Sequence, residues 1–495
     1  MSLAAVVIVM VAAVLIGAFG IRVSRTTSDF FVASRTVSPL WNASAIGGEY
    51  LSAASFLGVA GLILSYGVDM LWLPVGWTGG YLVLLVLVSA PLRRSGAYTL
   101  PDFAEARLES MAVRRTASVL VVLIGWFYLM PQFQSAGLVL RTITGAPVWA
   151  GGLLVAVVVV VNVLSGGMRS ITFVQAFQYW LKLTALAVPV IFLLLAWQAD
   201  GAPGLSPQDA AVWQTPLTGG KDYSVYSTYS LILATFLGTM GLPHVLVRFY
   251  TNPDGRAARR TTLVVLALLG AFYLLPAVYG WLGRIYTPDL VRPDAVVLTL
   301  PARMIGGTLG DLLTALITAG AFAAFLSTSS GLTVSVAGVI AQDLLKGGVR
   351  SFRIATLMAV AVPLALALWA RTLPVADVVG LAFAVAASSF CPLLVLGIWW
   401  RRLSTTGALA GLYVGGGLAC LAVLATITGG PHEGLAGALL AQPAAWTVPI
   451  AFAVMISVSF LTPDRVPIGV ARTMVRLHTP ENLDLDRGDW RPRSS

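Results

Sequence analysis

Between residues 3 and 462 the sequence is a succession of apolar blocks about twenty residues long, separated by short stretches of charge, proline and glycine. A helix of that length rises about 30 Å, the thickness of a bilayer's hydrocarbon core, and it satisfies its own amides and carbonyls where no water can. Composition points the same way. Of 495 residues, 58% are hydrophobic and 11% charged, against roughly 45–50% and 25% in soluble domains, and mean hydropathy is +0.86. These values exclude a soluble enzyme. Cys391 and Cys420, the two cysteines, both lie inside apolar blocks and suggest neither a disulfide framework nor a metal cluster.

The blocks read as a first span at 3–21 and twelve more near 39–64, 70–92, 117–140, 147–165, 171–198, 227–247, 261–283, 311–340, 354–369, 376–400, 405–428 and 445–462. Thirteen crossings put the termini on opposite sides, so alternate connections can be compared. One set, with the C-terminal tail, carries 24 Lys and Arg; the other carries six, Arg141, Lys221, Arg284, Arg292, Arg303 and Arg371, and Lys182 falls within a span. The positive-inside rule makes the first set cytoplasmic and the N-terminus external, in a multi-pass protein of the cell membrane. The net charge of +10 then marks orientation, and no nucleic-acid partner is expected. No basic run precedes the first block, and Arg22 and Arg25 follow it. It therefore reads as a retained span, with a removed targeting segment as the alternative. Residues 463–495 read as a mobile cytoplasmic tail.

Interrupted spans are where helical membrane proteins free backbone groups to hold ions and substrate. The block 39–64 is interrupted by Gly47-Gly48-Glu49-Tyr50-Leu51-Ser52-Ala53-Ala54-Ser55. An acid there costs about 2.5–3.5 kcal/mol on insertion scales, so Glu49 needs a partner or a watery cavity; the small residues could equally serve close helix packing. Five spans later, Gly238-Thr239-Met240-Gly241-Leu242-Pro243-His244 interrupts 227–247, the recurrence expected of an inverted repeat. In 311–340, Ala324, Ser327 and Thr328 stand at i, i+3 and i+4, with Ser329, Ser330, Thr333 and Ser335 following. One helical face thus offers neutral oxygens suited to a monovalent cation, or hydroxyls that bond back to their own helix.

Other chemistry is poorly represented. His432-Glu433 lacks the second histidine of a zinc-protease helix, and Gly219-Gly220-Lys221 runs into Asp222 without a P-loop hydroxyl. Of His244, His432 and His478, only His244 lies near a span, which leaves little for haem. No cofactor is expected.

On these residues the chain resembles the sodium:solute symporter family over nearly all its length. The stretches that carry the likeness are Phe30-Phe31-Val32-Ala33-Ser34-Arg35, Gly96 to Phe103 (GAYTLPDF), Gly166-Gly167-Met168-Arg169 with Thr172 and Gln175, and Gly241-Leu242-Pro243-His244 with Arg248-Phe249-Tyr250. Phe173 stands where that family usually has Asp. Glu49 to Gly58 (EYLSAASFLG) is most similar to the cation/acetate and short-chain monocarboxylate branch.

The resemblance implies an all-α integral membrane protein of LeuT type. Two inverted five-helix repeats, 39–198 and 227–400, would flank an extracytoplasmic loop at 199–226. One extra span lies in 1–38, two more in 401–462, and 463–495 forms the tail. It also implies sodium as coupling ion, held by carbonyls of Gly48, Leu51 and Ala324 and hydroxyls of Ser327 and Thr328; several acetate-branch relatives lack both hydroxyls, so their presence favours sodium over protons. Glu49 is one position from an acid of the proline-transporting branch, which leaves its role open. A carboxylate substrate needs donors, expected from half-helix amides near Tyr50–Ser52 and Gly238–Gly241, with Ser55, Thr239 and Gln132 beside them and Tyr50 and Phe56 as aromatic lids. The expected partners are sodium, a small carboxylate and the bilayer; an amino acid or sugar as substrate, or a role as membrane sensor, are the alternatives.

Overall fold

The computed structural model describes residues 1–21, 38–217, 223–345, 347–370, 373–429 and 433–480. The Phe30–Arg35 stretch, Gly219–Lys221, His432 and residues 481–495 lie outside these. Every regular element among the described residues is helical. In chain order they are α1 (Ser2–Ile21), α2 (Pro39–Tyr50), α3 (Val59–Tyr66), α4 (Trp72–Val83), α5 (Ser89–Ser95), α6 (Leu100–Leu108), α7 (Met111–Thr144), α8 (Val148–Ala199), α9 (Pro207–Trp213), α10 (Ser224–Thr239), α11 (Pro243–Tyr250), α12 (Gly255–Tyr286), α13 (Val296–Met304), α14 (Gly307–Val339), α15 (Gly348–Trp369), α16 (Val375–Trp399), α17 (Thr405–Gly411), α18 (Gly417–Thr428), α19 (Gly434–Ala441), α20 (Ala444–Leu461) and α21 (Val470–His478).

Eleven helical stretches among the described residues are long and apolar enough to cross a membrane. The thirteen expected spans differ from these at two places. Ala54–Ser95 is one stretch holding the end of the first broken span and the whole of the next, and α1, apolar along its 20 residues, is not among the eleven. Helical backbone also continues through 166–170, where a connection is expected between the fourth and fifth core spans.

The two interruptions have different local causes. In the second, Pro243 opens α11 at N1, where its missing amide costs nothing, and it drives Leu242 out of the helical region to ψ 116°. In the first there is no proline. α2 ends at Tyr50, Leu51 has ψ 83°, and the chain resumes in a π-helical turn at Ala54–Gly58. Gln132 Oε1 accepts from the Ala53 amide at 3.0 Å, and Ser52 Oγ from the Ala54 amide at 3.3 Å, so side chains maintain this break. The glycine pair expected to make the interruption is itself helical. A Cβ on Gly48 would overlap the Gln175 carbonyl oxygen, and one on Gly47 the Tyr179 ring. Those glycines let α8 approach α2, and the opening lies three residues further on.

The segment Gly96 to Phe103 has a plain structural reading. Gly96, at φ 79°, ends α5 in the left-handed region, and Thr99 caps α6. Asp102 receives the Thr99 amide at 2.9 Å while Thr99 Oγ1 receives the Asp102 amide at 3.2 Å. Asp102 also pairs with Arg114 of α7 at 2.8 Å. Of the tail expected to be mobile, the described part holds a packed helix, since α21 is amphipathic and buries Met474 and Leu477. His478 stacks edge-on against Trp399 at 4.9 Å, and Arg476 Nε donates to the Arg94 carbonyl at 3.2 Å.

At the Tyr286 end of α12, the connection to α13 turns inward as the short 3₁₀ segment Pro293–Ala295. Asp294 there backs onto Gly61 of α3 and accepts the Val375 amide at the start of α16, at 3.2 Å. Burial, aided by the charge of Asp377 and opposed by the Val375 amide, pushes its carboxyl from 3.8 up to about 7. Once released from this packing, Asp294 would ionise near its ordinary value. Between that value and about 7 the packed form therefore holds a proton that the released form lacks, and its stability falls as pH rises through the window. Thermal midpoints of purified protein should decline from pH 5 to pH 7.5, and Asp294→Asn should flatten the decline; a slope that survives the substitution assigns it elsewhere.

Candidate cation and substrate site

Helix α2 stops at Tyr50, so the carbonyls of its last turn have no further amides of their own helix to accept from. Other helices supply the donors. Ser327 Oγ of α14 donates to the Gly48 carbonyl at 2.6 Å and lies 3.1 Å from the Ala324 carbonyl, and Thr328 Oγ1 donates to the Glu49 carbonyl at 2.6 Å. The structure thus brings together all five residues expected to hold sodium, each fully buried or nearly so. One refinement is that the Thr328 hydroxyl faces Glu49 rather than Gly48 or Leu51. A sixth participant was not foreseen: Lys182 Nζ donates to the carbonyls of Gly48 and, at 2.7 Å, Leu51, and to Ser327 Oγ at 2.7 Å.

The partner that Glu49 requires is Arg248. Its Nε lies 2.9 Å from Glu49 Oε2, with both side chains buried. The guanidinium also donates to Thr172 Oγ1 at 2.7 Å and to Gln175 Oε1, while Gln175 Nε2 donates to the Ser327 carbonyl at 2.8 Å. One connected network therefore ties the first half of one broken helix to the second half of the other, through α8 and α14. A Cβ on Gly331 would overlap Glu49 Oε1, so α14 is pared to glycine where the carboxylate sits. Arg248, counted among the connection residues in the charge comparison, is buried in α11; removing it leaves the sense of that asymmetry unchanged.

Beyond the break, the expected substrate residues divide. Tyr50 and Thr239 meet directly, their hydroxyls 2.8 Å apart, which joins the two interruptions. Ser55 Oγ is 2.9 Å from the Tyr273 hydroxyl. Gln132 and Ser52, as described, hold the Ala53 and Ala54 amides, so those donors are already engaged at the opening of the second half-helix. Phe56 faces away from this group, against Phe272 and Gly320. Gly238 and Gly241 lie close against the Phe383 and Ala386 carbonyls, where they permit α10 and α16 to pack.

Around Tyr50 stands an aromatic group that sequence reasoning passed over. Tyr81 meets Tyr50 edge-on at 4.9 Å, and Phe383 lies 5.8 Å from both Trp77 and Tyr128. Trp77 stacks on Tyr273 at 5.8 Å, and Tyr128 meets His244 at 5.2 Å. Trp77 Nε1, Tyr81 Oη and both ring nitrogens of His244 are buried without a hydrogen-bond partner. A buried donor left unpaired costs about 1–3 kcal/mol, so a cluster of them marks a place for a polar ligand. Aromatic residues are common throughout the chain, and only the fold shows which ones converge.

The sequence model described as Sodium:solute symporter family matches residues 30–415. A Bacillus subtilis (strain 168) protein named uncharacterized symporter YwcA is 32% identical over 461 residues, covering 88% of this chain and 89% of that protein. A Corynebacterium glutamicum protein named monocarboxylic acid transporter is 33% identical over 436 residues, covering 80% of this chain and 78% of its own length. Among solved structures, a Na⁺-coupled sialic acid symporter in a substrate-bound outward-open state superposes with TM-score 0.72 at 15% identity, covering 93% of this chain and 97% of that one. MhsT in complex with L-phenylalanine superposes with TM-score 0.52 at 14% identity, covering 86% of this chain and 98% of that one. At these identities the likeness establishes a shared LeuT-type fold.

Proposed function

Because the chain belongs to the sodium:solute symporter family, a family of sodium-coupled membrane transporters, we propose that it carries a short-chain monocarboxylate, acetate being the simplest, into the cell together with sodium. The observation that carries the substrate class is the set of unpaired buried donors, Trp77 Nε1 and Tyr81 Oη, beside the Tyr50–Thr239 contact. A carboxylate accepts such donors and offers nothing that competes with them, and the aromatic walls suit a short alkyl chain. The relative named as a monocarboxylic acid transporter agrees with this reading.

In this reading sodium draws the Gly48, Leu51 and Ala324 carbonyls together with the Ser327 and Thr328 hydroxyls, and so organises the break beside which the anion binds. Each positive charge moving inward gains about 2.3 kcal/mol per 100 mV, so more than one per monoanion drives net electrogenic uptake.

Uptake of labelled acetate into proteoliposomes of purified protein, with sodium or choline outside and an inside-negative potential, tests the proposal. Propionate and pyruvate should compete, and proline and glucose should not. Efficient competition by proline or glucose would replace the substrate, and absence of counterflow would leave a sensor as the better reading. Trp77→Phe and Tyr81→Phe should each raise the KM for acetate about ten-fold, the loss expected of one hydrogen bond to a charged group; unchanged KM in both removes the donor assignment.

A further inference from the structure

The charge asymmetry of the connections has no use for Lys182, which lies in the C-terminal half of α8 and is fully buried. Its ammonium nitrogen meets three acceptors: the carbonyls of Gly48 and Leu51, and the hydroxyl oxygen of Ser327. The Ser327 hydroxyl lies 2.6 Å from the Gly48 carbonyl and 3.1 Å from the Ala324 carbonyl, and with its hydrogen given to either one its oxygen accepts from the lysine. All three contacts thus require an N–H, and an ammonium has three to give and nothing with which to accept.

Those oxygens are three of the five assigned to sodium. We propose that the Lys182 ammonium is a tethered cation that closes this carbonyl–hydroxyl cage, so that sodium binds there only by displacing it. The inference rests on the cage of the proposed function and is independent of the substrate. A lysine ammonium and a sodium ion carry the same charge and seek the same lone pairs, and two cations cannot share oxygens already engaged by one. Lys182 is supplied by its own helix, so its local concentration at the cage does not depend on the solution, whereas that of sodium does. A site open for only a small fraction of the time has its apparent dissociation constant raised by the inverse of that fraction. Coupling in this chain is therefore set by an exchange between two cations, one mobile and one attached.

A structural staple would give the same three hydrogen bonds, and the distinction is experimental. Thermal midpoints of the full-length protein in detergent are measured against sodium chloride, with choline chloride holding ionic strength constant. Lys182→Ala should have a lowered midpoint in choline that sodium restores, with half-saturation at a concentration about ten-fold or more below that of the unsubstituted protein. Adding Ser327→Ala and Thr328→Val to it should abolish the response. Lys182→Met, which removes charge and donors while keeping bulk, serves as the second variant. Equal half-saturation with and without Lys182 overturns the competition while leaving the cage a sodium site; no sodium response in any variant overturns both. The unsubstituted protein supplies a further arm that needs no lysine variant: saturation at low-millimolar sodium, lost with Ser327→Ala, overturns the proposal.

Discussion

Arg248→Met should destabilise the protein by about 3–5 kcal/mol, because it leaves the Glu49 carboxylate buried with its cationic partner gone. The size follows from position. Neither residue is more than 2% exposed, so no rotamer brings Glu49 to water. Gly331 cannot retreat further, since it already lacks a side chain on that side. The expected result is a sharp loss of monodisperse protein and a fall in thermal midpoint. Combining Arg248→Met with Glu49→Gln should recover more than half of the loss, since replacing both members of a buried pair with neutral groups is often close to neutral. A double variant no better than Arg248→Met alone shows that the arginine acts through Thr172, Gln175 and packing rather than through the ion pair. Recovery of folding without recovery of acetate uptake separates what the pair does for the bundle from what it does for the break.

The pair also shows where sequence reasoning reaches and where it stops. Spans, the two interruptions and the hydroxyls of α14 are legible because each is a local property: an apolar run, a Gly-Leu-Pro, an i, i+3, i+4 spacing. That Glu49 needs a partner is equally legible, as a cost. Which arginine answers it is not, since Arg248 follows a broken helix in the place where a connection would begin, and only the packing of α11 against α2 turns it inward. Lys182 is similar, a single cation in an apolar run whose three acceptors are 131 to 145 residues away in sequence. The Gly47-Gly48 pair looked like the break because glycine does break helices. Here the tertiary contact with Gln175 and Tyr179 demands its small size, and the opening falls where Gln132, Ser52 and Lys182 hold it. The aromatic group at Phe383 draws on α4, α7, α11, α12 and α16, so no window of sequence contains it. In the described part of the tail the local signal points the other way: its composition is polar enough to suggest mobility, while a nine-residue amphipathic helix within it packs against α5 and α6.

Ser327→Ala combined with Thr328→Val should lower sodium-dependent acetate uptake by about 100-fold or more while leaving most of the protein folded. The two consequences differ because the hydroxyls have two uses. As caps on the last turn of α2, each contributes about 1 kcal/mol net, a loss a bundle of this size tolerates. As cation ligands in a site without exposure to water, they are two of five oxygens, each worth the larger amount of a bond to a charged group, about 1.5–3 kcal/mol. Together they exceed the factor of 100 that about 2.7 kcal/mol represents. The single variants divide the effect further. Ser327→Ala removes a sodium ligand and also one of the three acceptors that hold Lys182, so it weakens both competitors for the cage. Thr328→Val removes a ligand whose hydroxyl bonds the Glu49 carbonyl and leaves every Lys182 contact in place. If the lysine and sodium compete, Thr328→Val should therefore shift the sodium dependence further to the right than Ser327→Ala does, although each deletes one oxygen. Equal shifts would mean that the two hydroxyls act only as ligands, and a double variant whose sodium-dependent uptake matches that of the unsubstituted protein would remove the cage from the transport cycle.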